Sequence, residues 1–557
     1  MGAAVLGSII ALAAFVRLVG VTAIGLNSDE AVYAGQAAAI AGDAVLSPFF
    51  PIFRAHPLLV QSMLAVPFSL EVTDTAARVS AAVIGLVAIV VVYALGSRLY
   101  GRRVGLLAAL FMALMPYHVV VSRQFLLDGP LTLLTTLALY CLTRFGSSGR
   151  HAWLYAAAAV LGLAILTKET AIVFIGATYA FLALAPAIEV RLRHLVVSML
   201  VLAAVVACFP LSLALAGGGG ASTAQQYFVW QLLRRPNHEL TFYPLVVPPA
   251  IGLVLLALAL AGLWAFRSRF DWRSRLLVAW ALVPIAFFEL WPTKGFQYLL
   301  PIAPVVAILA ARFLLESGPR RMPDWLGRLP RSVRQPRALA IGLVVLSLAL
   351  PTAAAVLNQP TAPVLAGGGG VPGGREAGQW IDTNLPAAAR LMTIGPSMGN
   401  ILQFYGHRPA RALSVSPNPL RRNPSYEPIT NADLSLRTGE IQYLVWDAYS
   451  AARTAHFSGR LLDLTRRYDA RLIHTESLPG GTAGAPIATP VIQIYEVLRS
   501  EAGVPGSAPP SGGSSAATTE RPAARREYIY AAYALAVAIA LGTILHAVVD
   551  DRRTARR

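Results

Sequence analysis

The sequence predicts a polytopic α-helical membrane protein that carries an additional α/β domain on one face of the membrane. Three observations lead there. Apolar residues make up 56% of the 557 residues and charged residues only 13%, where ordinary soluble domains carry about 25% charged residues. The apolar residues gather into runs near the ~20 residues that cross a bilayer as a helix. One long interval between such runs, about 358–526, instead alternates short β-rich and helical segments. This composition excludes a disordered chain, a coiled coil and an ordinary cytosolic enzyme. Cys141 and Cys208 are the only cysteines and both sit in apolar runs, so there is no disulfide framework and no cysteine-based metal site.

Twelve runs read as spans: near 4–26, 76–97, 104–121, 128–144, 151–167, 170–188, 195–216, 248–266, 276–291, 297–314, 338–357 and 527–549. The first lacks a basic segment ahead of it and continues directly into more chain. It therefore reads as a span, with a cleaved signal peptide as the alternative.

The arginines set the orientation. The connections 97–103, 144–150, 189–194, 267–275 and 316–337, with the tail 550–557, hold 21 Lys and Arg residues. The opposite short connections hold six: Arg54, Arg123, Lys168, Arg234, Arg235 and Lys294. Positive charge stays on the cytoplasmic side, which places both termini in the cytoplasm of a multi-pass cytoplasmic-membrane protein. The net charge of +18 is accounted for by basic loops facing anionic lipid, and no nucleic-acid partner is implied.

Two outer connections are long. The loop 27–75 contains NSDEAVYAGQAAAIAGD and FPIFRAHPLL. The second spans 358–500 and reads as the α/β domain, with Gly/Pro-rich linkers at 366–374 and 503–524. Within it, 375–384 and 458–468 read as helices. Leu391–Ile394, Tyr443–Trp446, Leu472–Glu476 and Val491–Glu496 read as strands, giving a small three-layer domain. No GxGxxG follows a strand, so no nucleotide is assigned. The resulting division is 1–357 for the membrane domain, 358–500 for the α/β domain, 501–526 for a linker, and 527–557 for a final span with a basic cytoplasmic tail.

The outer connections carry the candidate chemistry. Asp29 and Glu30 closely follow span 1, Arg123 and Asp128 sit in SRQFLLDG, and Lys168 and Glu169 sit in LTKET. Arg234, Arg235 and His238 lie in QLLRRPNHEL, and Lys294, Gln297 and Tyr298 in PTKGFQYLLP. Both lysines of the chain, against 44 arginines, fall on this face. Ionisable groups at a hydrocarbon edge are costly and usually pair or take part in function. Cations there can hold a lipid phosphate, and a carboxylate can take a proton from an acceptor hydroxyl. Each residue also has a plainer reading. Asp29-Glu30 can be a solvated dipeptide and His56 a loop histidine. Asp128 can cap its helix, Lys168-Glu169 can be an exposed ion pair, and Arg234 and Arg235 can contact headgroups.

Several segments together resemble the membrane glycosyltransferases of the GT-C fold, in particular glycosyltransferase family 39 and the related lipid A aminoarabinose transferases. They are LNSDEAVYAGQAAAIAGD (26–43), AHPLL (55–59), the block 76–144 with its YGRR turn and SRQFLLD end, LTKETA (166–171) and FQYLLPIAPVVAILAAR (296–312). The resemblance covers roughly residues 10–315. It implies a polyprenyl-monophosphate sugar donor and a base in the first outer loop. That role falls on Asp29, with Glu30 in support and Tyr33 and His56 nearby. It makes Arg123, Lys168, Lys294, Arg234 and Arg235 candidates for the donor phosphate, and has Asp128 orient a cation or a substrate hydroxyl. Two departures stand out: family members often carry His-Pro-Pro-Leu where this chain has His56-Pro57-Leu58-Leu59, and the eukaryotic protein mannosyltransferases have a different lumenal domain. The acceptor, whether lipid, glycan or protein, stays open. So does a divalent metal, because some relatives bind one and no ligand set is assignable here. The competing classes are a lipid or sugar transporter (flippase) and a non-catalytic cell-envelope assembly protein. The charges lie in loops, and no repeat is evident across spans 2–10, which argues against the transporter.

Overall fold

The computed structural model describes residues 2–52, 57–216, 229, 233, 236–317, 336–357, 370–415, 423–478, 489–498 and 525–555. His56, Arg234, Arg235, the connection 318–335, residues 366–369 of the first linker and all of the second linker lie outside them.

The chain is a helical membrane protein, with a helix in each expected apolar run. The first part comprises α1 (Gly2–Leu18), α2 (Ser28–Ala41), α3 (Leu59–Phe68), α4 (Asp74–Tyr100), α5 (Arg102–Leu114), α6 (Pro116–Ser122), α7 (Asp128–Ser148) and α8 (His151–Thr167). It continues with α9 (Val173–Leu184), α10 (Leu192–Val206), α11 (Cys208–Ala216), α12 (Phe242–Ile251), α13 (Leu253–Ala265), α14 (Trp272–Leu290), α15 (Ala303–Glu316) and α16 (Pro336–Leu357). Among the described residues, five stretches are long and apolar enough to cross a membrane by length and composition: Asp74–Tyr100, Leu192–Ala216, Phe296–Glu316, Arg337–Leu357 and Arg526–Arg553. Two bent pairs raise the number to seven if each is one span.

Those bends correct the sequence reading, which takes 104–121 and 248–266 as unbroken. α5 and α6 meet at 61°. Pro116 starts α6, and Met115 before it is extended, as proline demands of the preceding residue. α12 and α13 meet at 96° around Gly252, whose φ of 99° suits a residue without a β-carbon. The first run differs too. α1 stops at Leu18, and a turn through Gly20 leads to α2.

The bundle core is continuous through α4, α5, α7, α8, α14 and α15, with Phe111, Phe145, Phe174 and Trp280 fully buried. The last helix, α22 (Arg526–Ala555), returns to the bundle and shares a cluster with α3, α8 and α11. Its Tyr533 hydroxyl accepts the Leu58 N–H at 2.8 Å. Basic connections gather at one end. Arg144 and Arg150 pair with Asp551, Arg98 donates to Ser147, and Gly2 abuts Arg102.

The α/β unit has a five-stranded sheet in the order β2-β1-β3-β5-β4. The strands are β1 (Leu391–Thr393), β2 (Ala410–Ala412), β3 (Tyr443–Asp447), β4 (Arg471–Leu478) and β5 (Thr489–Glu496). β1 pairs in parallel with β2 and β3, and β5 runs antiparallel to both its neighbours. The helices are α17 (Gly374–Asn384), α18 (Pro396–Gly406), α19 (Ala432–Arg437), α20 (Ala448–Arg453) and α21 (Ala455–Arg467). Successive strand residues face opposite sides. Leu391, Tyr443 and Val445 join Ile381, Met398 and Ile401 of α17 and α18. Met392 and Leu444 join Leu461 and Leu464 of α21. Both faces are thus covered, as expected for three layers. The sequence reading missed α18, α19, α20 and β2. β2 is three residues with an arginine at its centre, too short for an alternation signal.

The α/β unit sits on α2. One cluster contains Leu26, Ala31, Ala34 and Phe50 from the membrane domain together with Ile401, Phe404 and Tyr405 from α18. This is the end opposite the Arg-rich connections, and it is where the candidate residues converge.

Candidate functional site

The site begins at the first turn of α2. Asn27 is its cap. The Asn27 side chain accepts the Glu30 N–H at 2.9 Å and the Glu30 carboxylate accepts the Asn27 N–H at 2.9 Å, a reciprocal capping box. Glu30 is fully buried. Arg78 of α4 grips it with two bonds, at 3.1 and 2.9 Å, and the Phe125 N–H donates to it at 2.8 Å. Arg78 also donates to the carbonyls of Val21, Ile24 and Gly25. Glu30 therefore ties the α1–α2 turn to α4 and to the α6–α7 connection. Asp29 is one residue earlier, about 100° around the helix, and is exposed. Tyr33, one turn on, is half-buried between the two cores.

Lys168 sits at the extended break after α8. Its ammonium pairs with Asp128 at 2.8 Å and lies 4.0 Å from the centre of the Tyr298 ring. Asp128 is buried at the start of α7 and makes no side-chain cap; its carboxylate goes to the lysine. Lys294 is buried against Glu289 at 3.1 Å and lies 5.2 Å from the centre of the Tyr243 ring. Asn237 fixes the Lys294 backbone, accepting its N–H at 2.7 Å and donating to its carbonyl at 2.9 Å. Tyr243 is within electrostatic range of Tyr298, Asp128 and Glu289, so the two lysines belong to one cluster. Glu169 and Gln297 are half-buried in adjoining 3-10 turns.

The α/β unit closes the other side. Exposed Tyr449 of α20 is within electrostatic range of Asp29, and Arg453 lies 4.2 Å from the centre of its ring. Arg453 and Lys294 both act on His238, which is exposed and stacked on Phe242 at 4.1 Å. Partial burial, then these two cations, lower the His238 pKa. Asp447 begins α20 by accepting the Ser450 N–H at 2.6 Å. Its second carboxylate oxygen is buried with no partner among the described residues. Burial pushes its carboxyl up to about 6, against the lowering effect of the Ser450 hydrogen bonds.

The structure thus brings together Asp128, Lys168, Lys294 and Tyr298, and links Asp29 to them through Tyr449, Arg453 and His238. Arg123, expected with the phosphate candidates, does not join them. Its guanidinium donates to the carbonyls of Val16, Arg17, Val19 and Gly20 at 2.8–3.1 Å and so closes the C-terminal end of α1. His56, Arg234 and Arg235 lie outside the described residues. Among the described residues, no group of three or more His, Cys, Asp or Glu could hold a metal ion. Sequence reasoning missed Arg78, Glu289, Asn237, Tyr243, Tyr449 and Arg453. Arg78 had a signal, since an arginine inside an apolar span requires a buried acceptor. Tyr449 and Arg453 had none, being more than 400 residues from Asp29.

Chemically, an exposed carboxylate stands at the head of α2, and two lysines, each against a tyrosine face, form the cluster to which Tyr449, Arg453 and His238 link it. A hydroxyl can lose its proton to the first, and an anionic leaving group can be received by the second.

A family model described as dolichyl-phosphate-mannose-protein mannosyltransferase matches residues 55–213. A comparison of the sequence with curated proteins finds no match. Among solved structures, ArnT from Cupriavidus metallidurans in the apo state superimposes with a TM-score of 0.60 at 17% identity, over 87% of this chain and 97% of that one. The same protein bound to undecaprenyl phosphate gives 0.58 at 16% identity, over 89% and 98%. The Archaeoglobus fulgidus oligosaccharyltransferase in the apo form gives 0.56 at 14% identity, over 87% of this chain and 74% of that one. These agreements extend through nearly the whole chain, so the architecture implied by the sequence resemblance is the one observed: the chain has the GT-C fold of membrane glycosyltransferases and is similar to glycosyltransferase family 39.

Proposed function

We propose that the protein is a membrane glycosyltransferase. It moves a sugar from a polyprenyl-monophosphate donor to an acceptor hydroxyl on the extracytoplasmic face. The observation that carries this reading is the exposed Asp29 carboxylate at the start of α2, linked through Tyr449, Arg453 and His238 to the Lys294 and Lys168 cluster. Asp29 takes the acceptor proton as the new bond to the anomeric carbon forms. The bond from that carbon to the phosphate oxygen breaks on the opposite side. Polyprenyl phosphate leaves, its charge met by Lys168 and Lys294. Asp128 and Glu289 hold these lysines in place, and Gln297, Tyr298, Glu169 and Tyr33 line the surroundings. Glu30 supports Asp29 through the fixed turn rather than by taking a proton, since its oxygens are already engaged by Arg78, Phe125 and Asn27. A lipid-linked carrier suits an outer-face site, and the similar ArnT structure holds undecaprenyl phosphate. The 21-to-6 division of basic residues supports the orientation.

The test is single-turnover transfer with a panel of polyprenyl-phosphate sugars at saturating donor. Asp29→Asn keeps the side chain's shape but cannot accept the proton. It should bind donor normally and transfer about 10²–10⁴-fold more slowly. Wild-type-like transfer by Asp29→Asn would remove the base role. Failure of the native protein to transfer or hydrolyse any donor would remove the enzyme.

A further inference from the structure

We infer that the α/β unit is part of the catalytic centre, with Asn400 and Tyr405 of α18 as positioning residues for Asp29. The inference rests on the reading of Asp29 as the base. Its geometric basis is a pair of polar struts that cross from α18 to the start of α2.

The first strut ends on the residue beside Asp29. The Asn400 amide donates to the Ser28 hydroxyl at 3.0 Å. Asn400 is wholly buried, and its carbonyl oxygen accepts two bonds at 2.5 Å, from Asn423 and from the Ser425 hydroxyl. The amide therefore has one orientation, with its N–H directed at Ser28. Asn423 and Ser425 are themselves buried. The second strut holds the turn before α2. The Tyr405 hydroxyl accepts the Leu26 N–H at 2.8 Å and donates to Asp74 at 2.7 Å. Arg375 of α17 adds a bond to the Thr22 carbonyl at 2.9 Å.

The packing around these bonds is close enough to transmit position. A β-carbon on Gly25 would stand 2.6 Å from that of Arg375, and one on Gly378 would stand 2.5 Å from that of Tyr405. Buried, fully satisfied polar groups fix a single geometry, because any shift leaves a desolvated donor or acceptor unpaired. Glu30 and Arg78 fix the inner side of the same helical turn. Asp29 is exposed, so its direction depends on the backbone these two clamps hold. A base displaced by even 1 Å loses much of its rate.

The experiment uses the full chain in lipid nanodiscs, with Asn400→Ala, Ser28→Ala and the double variant. Two quantities are read: hydrogen exchange of peptides covering residues 26–33, and single-turnover transfer with donor binding measured alongside. Exchange at 26–33 should accelerate about two- to tenfold, the loss of one net hydrogen bond. Transfer should fall about three- to thirtyfold with donor affinity unchanged. The double variant should match the single ones, since both remove the same strut. Ser28→Ala leaves the α/β unit untouched, so it decides the matter even if Asn400→Ala unfolds that unit. Unchanged exchange at 26–33 in Ser28→Ala overturns the inference, as does a double variant whose loss is the product of the single losses. If the native protein transfers no sugar but exchange behaves as stated, the glycosyltransferase reading falls and the struts stand.

Discussion

Asp29 and Glu30 are neighbours in sequence and opposites in environment. The helix turns Glu30 into a dry pocket against Arg78 and leaves Asp29 exposed. Removing one member of a buried pair strands the other charge, at about 3–5 kcal/mol. Arg78→Ala should therefore collapse the thermal stability of the detergent-solubilised protein, while Asp29→Asn leaves it within about 0.5 kcal/mol. Equal melting temperatures for Arg78→Ala and the native chain would contradict the buried pair. Lys294 should behave differently from both. A charge-assisted bond to phosphate is worth about 1.5–3 kcal/mol, so Lys294→Ala should weaken undecaprenyl phosphate binding roughly tenfold to a hundredfold. Binding titrations that find no change in Lys294→Ala or Lys168→Ala would take the phosphate off these lysines. The sequence made both lysines conspicuous by their rarity. It did not identify Glu289 and Asp128 as their partners, because those pairings depend on how helices meet.

Elements show the same division between local and non-local causes. α20 starts where Asp447 caps it, and that cap carries a titration. The folded protein holds the Asp447 proton up to about pH 6, while an unfolded aspartate loses it near 3.8. Ionising it in the fold therefore costs stability as pH rises from about 4 to about 6, and the cost is constant above that window. Asp447→Asn cannot ionise. Its stability relative to the native chain should grow across that window, by at most about 3 kcal/mol, as read from thermal unfolding between pH 4 and 8. A difference independent of pH would show that Asp447 titrates normally. The junction of α17 and α18 makes a steric prediction. Gly378→Ala forces a β-carbon onto that of Tyr405, and overpacking of this kind costs about 1–3 kcal/mol. The helix breaks at Met115 and Gly252 illustrate what hydropathy misses. Both halves of each pair are apolar, so the run looks continuous, and only Pro116 and Gly252 record the change of direction.

At the level of the whole molecule, the Arg-rich connections occupy one end and the α/β unit with the candidate residues the other. Orientation in the membrane can be read with single cysteines in a background lacking Cys141 and Cys208. An impermeant thiol reagent on intact cells should mark Gln379→Cys, an exposed position on α17, and spare Ser147→Cys, an exposed position at the basic end. Labelling of Ser147→Cys alone would invert the protein and move the candidate site to the cytoplasm. What the sequence by itself determined is whatever depends on nearest neighbours along the chain. That covers the apolar runs, two of the helices and four of the strands of the α/β unit, the asymmetry of charge, and the acidic pair at the head of α2. These follow from composition and periodicity, which are local properties. The tertiary structure alone decided which acid is exposed, which cation caps α1 instead of joining the lysines, that Asn400 and Tyr405 hold the start of α2, and that Tyr449 stands within electrostatic range of Asp29. Those outcomes depend on contacts between residues tens to hundreds of positions apart. Burial, hydrogen-bond satisfaction and close packing choose among such contacts only when the helices and the sheet assemble together.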